Sequence, residues 1–200
     1  MSSFFFWTGV GAVLGTIFSS LFEWILHRFI MHRPMGTFRY PYERHTLVHH
    51  RIFRADHTYH VINDNDKKTI PMAWWNGPVL VSVCMIPFLV FALWSEKWGC
   101  LCGASLACAA YYGAYEYMHW CMHLPKRRHV ERSGIFFRLN GHHLLHHRYM
   151  KKNFNVVLPL ADLFLGTLLL RAPAHFKQAT GPSVPDVQPK FRPVPTVSRS

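Results

Sequence analysis

The sequence predicts an all-α integral membrane protein: about three transmembrane helices beneath a cytoplasmic, histidine-rich helical cap. Three observations predict it. Residues 4–21, 73–94 and 99–115 contain no Asp, Glu, Lys or Arg, and each approaches the ~20 residues a helix needs to cross a ~30 Å hydrocarbon layer. Of the 22 Lys and Arg, 21 lie in 28–71 or after 124, outside those stretches. Thirteen of the 15 histidines fall into five short groups, most of them just past an apolar run. The positive-inside tendency puts both basic regions on the cytoplasmic face, and the N-terminus and the 95–98 turn on the other. Every histidine then shares one face. A net charge of +12 would suggest nucleic acid in a water-soluble chain. Here the positions of the charges assign them to a membrane surface, with no nucleic-acid partner.

Taken in order, residues 4–33 read as one long helix that leaves the membrane near Glu23 and breaks at Pro34-Met35-Gly36. No basic residue precedes Arg28, so this first span lacks the charged start of a signal peptide and is expected to remain as an anchor. Residues 43–54 suit a short helix, and 63–68 a polar loop. The second span carries Pro78 and Pro87, which membrane helices tolerate when neighbours satisfy the freed carbonyls. It forms a hairpin with the third span through Ser95-Glu96-Lys97-Trp98. Gly11 and Gly15, and Gly99 and Gly103 followed by Ala107 and Ala110, have spacings that let helices approach closely. The third helix should continue to Leu124, where Pro125 stops it. Asn140-Gly141 reads as a turn. Residues 156–170 are apolar but interrupted by Pro159, Asp162 and Gly166, which suits an interfacial or re-entrant segment. Residues 172–200 form a Pro-rich tail expected to lack order. Cys84, Cys100, Cys102, Cys108 and Cys121 contain no CxxC pair and read as small apolar packing residues.

The histidine spacings carry the chemistry. Imidazole is the commonest protein ligand for transition metals. Glu23, His27 and His32 follow the first span, and Glu116, His119 and His123 follow the third. Residues four apart share a helix face, so His119 and His123 can bind one ion together. His27 and His32, five apart, sit about 140° apart on an ideal helix; they could flank two ions or be brought together near Pro34. Glu23 and Glu116 could each accept the outer N–H of a ligating imidazole, or ligate directly. In His45-Thr46-Leu47-Val48-His49-His50, His45 and His49 share a face and His50 points a quarter turn away, which suits two ions side by side. His143-Leu144-Leu145-His146-His147 repeats the pattern with one residue less. His57, His60 and His142 remain open between ligand, supporting and bystander roles. His129, among Lys126, Arg127 and Arg128, reads as a headgroup-facing residue, and His175 as a bystander.

The motifs His27-x4-His32, His45-x3-His49-His50, His119-x3-His123 and His143-x2-His146-His147 resemble the signature of the fatty acid hydroxylase/sterol desaturase superfamily. So do Glu23-Trp24-Ile25-Leu26-His27-Arg28, Tyr115-Glu116-Tyr117-Met118-His119 and Asp162-Leu163-Phe164-Leu165-Gly166-Thr167. The resemblance implies a membrane-bound hydroxylase-like domain over 1–171. It implies ten metal ligands: His27, His32, His45, His49, His50, His119, His123, His143, His146 and His147. Glu23, Glu116, His57, His60, His142 and Asp162 would support them. It implies two iron ions, replaceable by zinc on isolation, with O2 as co-substrate and oxidation of a fatty acyl, sterol or isoprenoid C–H bond, ending in hydroxylation or desaturation. The chain has no Rossmann glycine motif, so electrons would come from an external donor of cytochrome b5 or ferredoxin type. Lys126, Arg127, Arg128, Lys151 and Lys152 could dock it, or could meet anionic headgroups. The bacterial inner membrane and the ER membrane fit equally. The alternative is a non-catalytic membrane metal-binding or transport protein. A metalloprotease is disfavoured, because no HExxH is present.

Overall fold

The computed structural model describes residues 2–172, so the tail from 173 onward, with His175, lies outside the described residues. Among the described residues the fold is all helix, with one isolated bridge between Met35 and Phe38. In chain order the helices are α1 (Ser2–Ile25), α2 (Tyr40–Tyr42), α3 (His50–Ile52), α4 (Asn76–Ser95), α5 (Trp98–His123), α6 (Gly134–Arg148) and α7 (Leu160–Phe164). Two segments are wound as π-helix: Leu26–Met31, continuing α1, and Glu43–His49, joining α2 to α3.

Small residues set the packing of the lower half. α1 buries Gly11, Gly15, Ser19 and Ser20, and this stripe lies against α5. A Cβ on Gly11 would sit 2.0 Å from the Cys100 carbonyl oxygen, and one on Gly103 would sit 1.9 Å from that of Thr8. Two backbones therefore touch where larger side chains would hold them apart. The cysteines are free; all but Cys102 are buried. The helical hairpin turns at Glu96, whose φ of 58° ends α4 in a left-handed cap.

Two helices, Ser2–Met31 and Asn76–Ser95, are long and apolar enough to cross a membrane. The third apolar stretch, 99–115, lies on α5, which runs to His123 ahead of Pro125. This helix is not among the two apolar enough to cross a membrane, and its buried faces carry Gly, Ala, Cys, Tyr111 and Tyr115. The Asn140-Gly141 turn does not form. Ser133 caps α6 by accepting from the Phe136 N–H at 3.1 Å, and the helix then runs unbroken to Arg148. Burial of His142, His143, His146 and His147 along its inner side overrides the local turn preference.

Residues 153–169 pack back on α1 and do not form another long helix. The Trp24 indole donates to Thr167 Oγ1 at 2.8 Å, and Asn155 Nδ2 donates to the Ser20 carbonyl at 2.7 Å. Leu163, Phe164 and Leu165 stay exposed at the tip of α7.

Candidate metal centre

Ten histidine side chains converge above α1 and α5 in two groups of five. His27, His32, His45, His50 and His146 form one; His49, His119, His123, His143 and His147 form the other. Within each group the ligand nitrogens lie within 4.8 Å of one another. Nine of the ten are buried, and His32 is half-buried. These are the ten histidines the sequence singles out as ligands.

Helix winding decides the grouping. The His32 N–H donates to the His27 carbonyl and the His50 N–H to the His45 carbonyl, both across π turns. An i→i+5 bond brings residues five apart onto one side, where an α-helix would separate them. His27 and His32 therefore join one group without any help from Pro34. The expected sharing of a face by His45 and His49 fails for the same reason. They stack at 5.2 Å but belong to different groups. The pairs His119/His123 and His143/His147, on regular α-helix, stay together as their spacing of four dictates.

Backbone carbonyls orient the rings. His27 Nδ1 lies 2.5 Å from the Phe154 carbonyl oxygen and His146 Nδ1 lies 2.8 Å from that of Lys152. In the other group, His123 Nδ1 lies 2.8 Å from the Tyr59 carbonyl oxygen and His147 Nδ1 lies 2.5 Å from that of Phe53. A neutral imidazole that donates from Nδ1 presents a bare Nε2. Those Nε2 atoms face inward: His27 to His45 at 2.8 Å, His45 to His50 at 3.0 Å, and His146 to His32 at 3.1 Å and to His50 at 3.2 Å. The second group repeats this, with His49 to His119 at 3.2 Å, His123 to His143 at 3.2 Å and His143 to His147 at 3.0 Å.

This donor set fits metal ions. Two nitrogens bound at right angles to one ion, each ~2.1 Å away, are about 3.0 Å apart, close to the spacing found. Hydrogen bonding among the rings cannot satisfy them all. His123 and His147 both turn bare nitrogens to His143, which has one Nε2 proton at most. The Nδ1 atoms of His50 and His143 are also buried without a partner. Burial holds the rings neutral, as ligation requires. Desolvation, helped by neighbouring imidazoles, drives His45, His49, His50, His119, His143 and His147 well below the ordinary histidine range. Burial takes His123 down to about 3.

The carboxylates differ from expectation. Glu23 does not touch His27: it accepts from Tyr111 Oη at 2.7 Å, Asn155 Nδ2 at 2.9 Å and the Val156 N–H at 2.7 Å. Glu116 accepts from Tyr112 Oη at 2.9 Å and the Met72 N–H, not from His119. Both are consumed as anchors between segments. Asp162 does support the site. It accepts from the Phe154 and Asn155 N–H groups, Thr167 Oγ1 and His142 Nε2 at 2.6–3.2 Å, and so fixes the segment whose carbonyls meet His27 and His146. Burial would raise its carboxyl; these hydrogen bonds outweigh that and hold it below its ordinary value. His142 thus acts through Asp162. His57 and His60 are exposed and outside both groups. The supporting carbonyls of Phe53, Tyr59, Lys152 and Phe154 carry no signal in residue type, although the Asp162 motif marks the neighbourhood of two of them.

A cavity of about 480 Å³ adjoins the histidines. His45, His49 and His119 line it, with Arg44, Lys68 and mostly apolar residues of α1, α4 and the 69–75 segment. A smaller one of about 60 Å³, between α1, α4 and α5, reaches His27 and Glu23. The two share wall residues such as Phe22, Leu26 and Tyr115.

No protein-family profile matches the chain, and neither does any solved structure. Curated proteins do. The chain is 26% identical over 162 residues to the fatty acid 2-hydroxylase of Rattus norvegicus and 26% identical over 161 residues to that of Mus musculus. Each match covers 78% of this chain and 39% of the relative, so the chain spans about two fifths of the length of the proteins it matches. Beside the four histidine motifs and their convergence, the chain thus has a weak similarity to fatty acid 2-hydroxylases, which are members of the fatty acid hydroxylase superfamily.

Proposed function

We propose that the chain is an O2-dependent lipid oxidoreductase: ten histidines hold two metal ions, taken as iron, and a lipid C–H bond is hydroxylated or desaturated beside them. The observation that carries this reading is the pairing of two five-histidine groups with an adjoining apolar cavity. When bound, the metal ions supply the O2 chemistry that no side chain can perform. The chain contributes position and protection. Neutral imidazoles aim their Nε2 atoms inward, carbonyls of 53–59 and 152–154 fix the rings, and the apolar cavity holds an acyl or isoprenoid chain against the His45–His49 edge and excludes water.

The same reading places 1–171 in one membrane domain, with α5 as a third crossing helix and the histidine face cytoplasmic. A reporter fused after Ser200 should therefore read cytoplasmic, and an external signal overturns the topology. Electrons come from an external redox protein. The exposed Lys126 and Lys151 suit an acidic partner, whereas Arg128 already pairs with Glu131 and Lys152 donates to the Gly166 carbonyl at 3.0 Å.

The decisive experiment joins metal analysis to lipid mass spectrometry. Purified protein should hold about two transition-metal ions per chain, and cells expressing it should accumulate a lipid shifted by +16 or −2 mass units. His119→Ala and His147→Ala should abolish that product while the protein still accumulates in the membrane. Retained turnover in either variant sinks the ligand assignment. Two ions without any lipid product would favour metal storage or transport.

A further inference from the structure

The larger cavity is apolar along most of its wall, yet its rim carries two cations, Arg44 and Lys68, and no Asp or Glu lines it. The neighbouring cations are spoken for: Lys67 pairs with Asp64 at 2.6 Å, and Arg39 lies 4.0 Å from Glu43. Among the described residues, Arg44 and Lys68 have neither a hydrogen-bond nor an ion-pair partner. Both are exposed. Arg44 directly precedes His45 on the π turn, and Lys68 lies two residues before Ile70, whose carbonyl faces His119. The π turn that brings His45 and His49 to the cavity thus brings Arg44 with it, and the segment that meets His119 brings Lys68.

α1 and α4 also wall the cavity. Ile25, Val79 and Val83 line it there and remain 40%, 49% and 45% exposed, on helices apolar enough to sit in a bilayer. A wall that combines two cations with exposed apolar residues of bilayer-length helices suits an amphiphile. The volume, about 480 Å³, lies in the ~300–1,000 Å³ range that holds one modest ligand, which suits a single chain.

We propose that Arg44 and Lys68 form an anion clamp that selects a single-chain amphiphile with a carboxylate or phosphate head, the chain lying toward α1 and α4. The clamp deepens the lipid-oxidation reading and rests on it for its purpose, though not for its measurement. Charge-assisted hydrogen bonds to an anionic head, bidentate from Arg44, supply the discrimination. An uncharged head of the same chain length leaves both cations without a partner.

Binding can be read without turnover. The full chain as purified is placed in phosphatidylcholine nanodiscs, and displacement of a fluorescent fatty acid is measured with palmitate, hexadecyl phosphate, methyl palmitate and hexadecanol. Palmitate, hexadecyl phosphate or both should compete at least about tenfold better than the uncharged pair, an advantage of about 1.4 kcal/mol that shrinks as salt rises. Which anion wins names the source of the head. Arg44→Gln with Lys68→Gln should erase the advantage while methyl palmitate still binds and two metal ions are retained. Equal competition by charged and uncharged probes, or an advantage surviving both substitutions, overturns the clamp. Lipid oxidation without head discrimination sinks the clamp alone. Discrimination without any O2-dependent product sinks the oxidation reading and leaves the clamp standing.

Discussion

The two histidine groups hold five imidazoles each, but they are built differently. The group of His49, His119, His123, His143 and His147 takes two i,i+4 pairs from the regular helices α5 and α6. The group of His27, His32, His45, His50 and His146 takes two i,i+5 pairs from π turns. Their supports differ as well. Carbonyls of Phe53 and Tyr59 hold two rings of the first group, and carbonyls of Lys152 and Phe154 hold two rings of the second. The comparison teaches that equivalent donor sets need not share a backbone solution. One uses the ordinary helix; the other uses a rarer winding that recurs at functional sites.

The sharpest way to break this contrast is to remove the extra residue. Deleting Phe29 turns the spacing between His27 and His32 from five to four and forces that turn toward α-helix. The expected effect is large: lipid oxidation abolished and metal content falling from about two ions per chain to about one. The ion in the α-helical group should remain, which separates this outcome from general unfolding; circular dichroism checks the helices independently. Two ions retained after the deletion would mean that the π turn is dispensable.

Legibility in the sequence follows the same division. The ten clustered histidines, α5 running to His123, and the close approach at Gly11 and Gly103 are all readable, because spacing on regular helices maps directly onto faces. The partition of His45 from His49 is not, since periodicity assumes 3.6 residues per turn and nothing in residues 43–49 announces a wider winding. Glu23 and Glu116 mislead for another reason. Their offsets of four and three from a histidine are correct for a helix face, yet the backbone N–H groups of Val156 and Met72 compete for the same carboxylates. Long-range partners of that kind leave no mark in local spacing. Asp162 is readable as part of a motif; its role appears only once residues 153–156 fold over it.

Acid offers a second, smaller test. In metal-stripped protein the folded state keeps these imidazoles neutral, because burial depresses them: His123 to about 3, His32 to about 2, and their neighbours likewise downward. The unfolded chain takes up protons near pH 6.5 that the folded chain refuses. Stability is therefore intact above about pH 6.5 and falls as pH drops toward about 3, by ~1.4 kcal/mol per pH unit for each such histidine. Thermal unfolding in detergent should show a midpoint that holds from pH 8 to about pH 6.5 and falls from there to pH 5. Burial is common to both groups, so metal loss from the loaded protein should occur in one acid transition. Two separated steps would show that the backbone difference extends to the electrostatics, and a midpoint that stays flat below about pH 6.5 would contradict burial of neutral rings.

The mildest perturbation should expose the asymmetry of support. Asp162 accepts from the Phe154 and Asn155 N–H groups, and this same segment presents the Lys152 and Phe154 carbonyls to His146 and His27. Both of those rings belong to the π-turn group, and neither carbonyl-held ring of the other group, His123 or His147, takes its support from that segment. Asp162→Asn keeps the shape but replaces one acceptor oxygen with a donor, opposing either the Phe154 N–H and the Thr167 hydroxyl at Oδ1 or the Asn155 N–H at Oδ2. Loss of a group that orients a ligand typically costs about 10–100-fold in metal affinity. A chelator titration of the variant should therefore release one ion about 10–100-fold more readily and leave the other at its wild-type affinity. Both ions weakened alike would mean that the two groups share one support and that their separate loops are incidental.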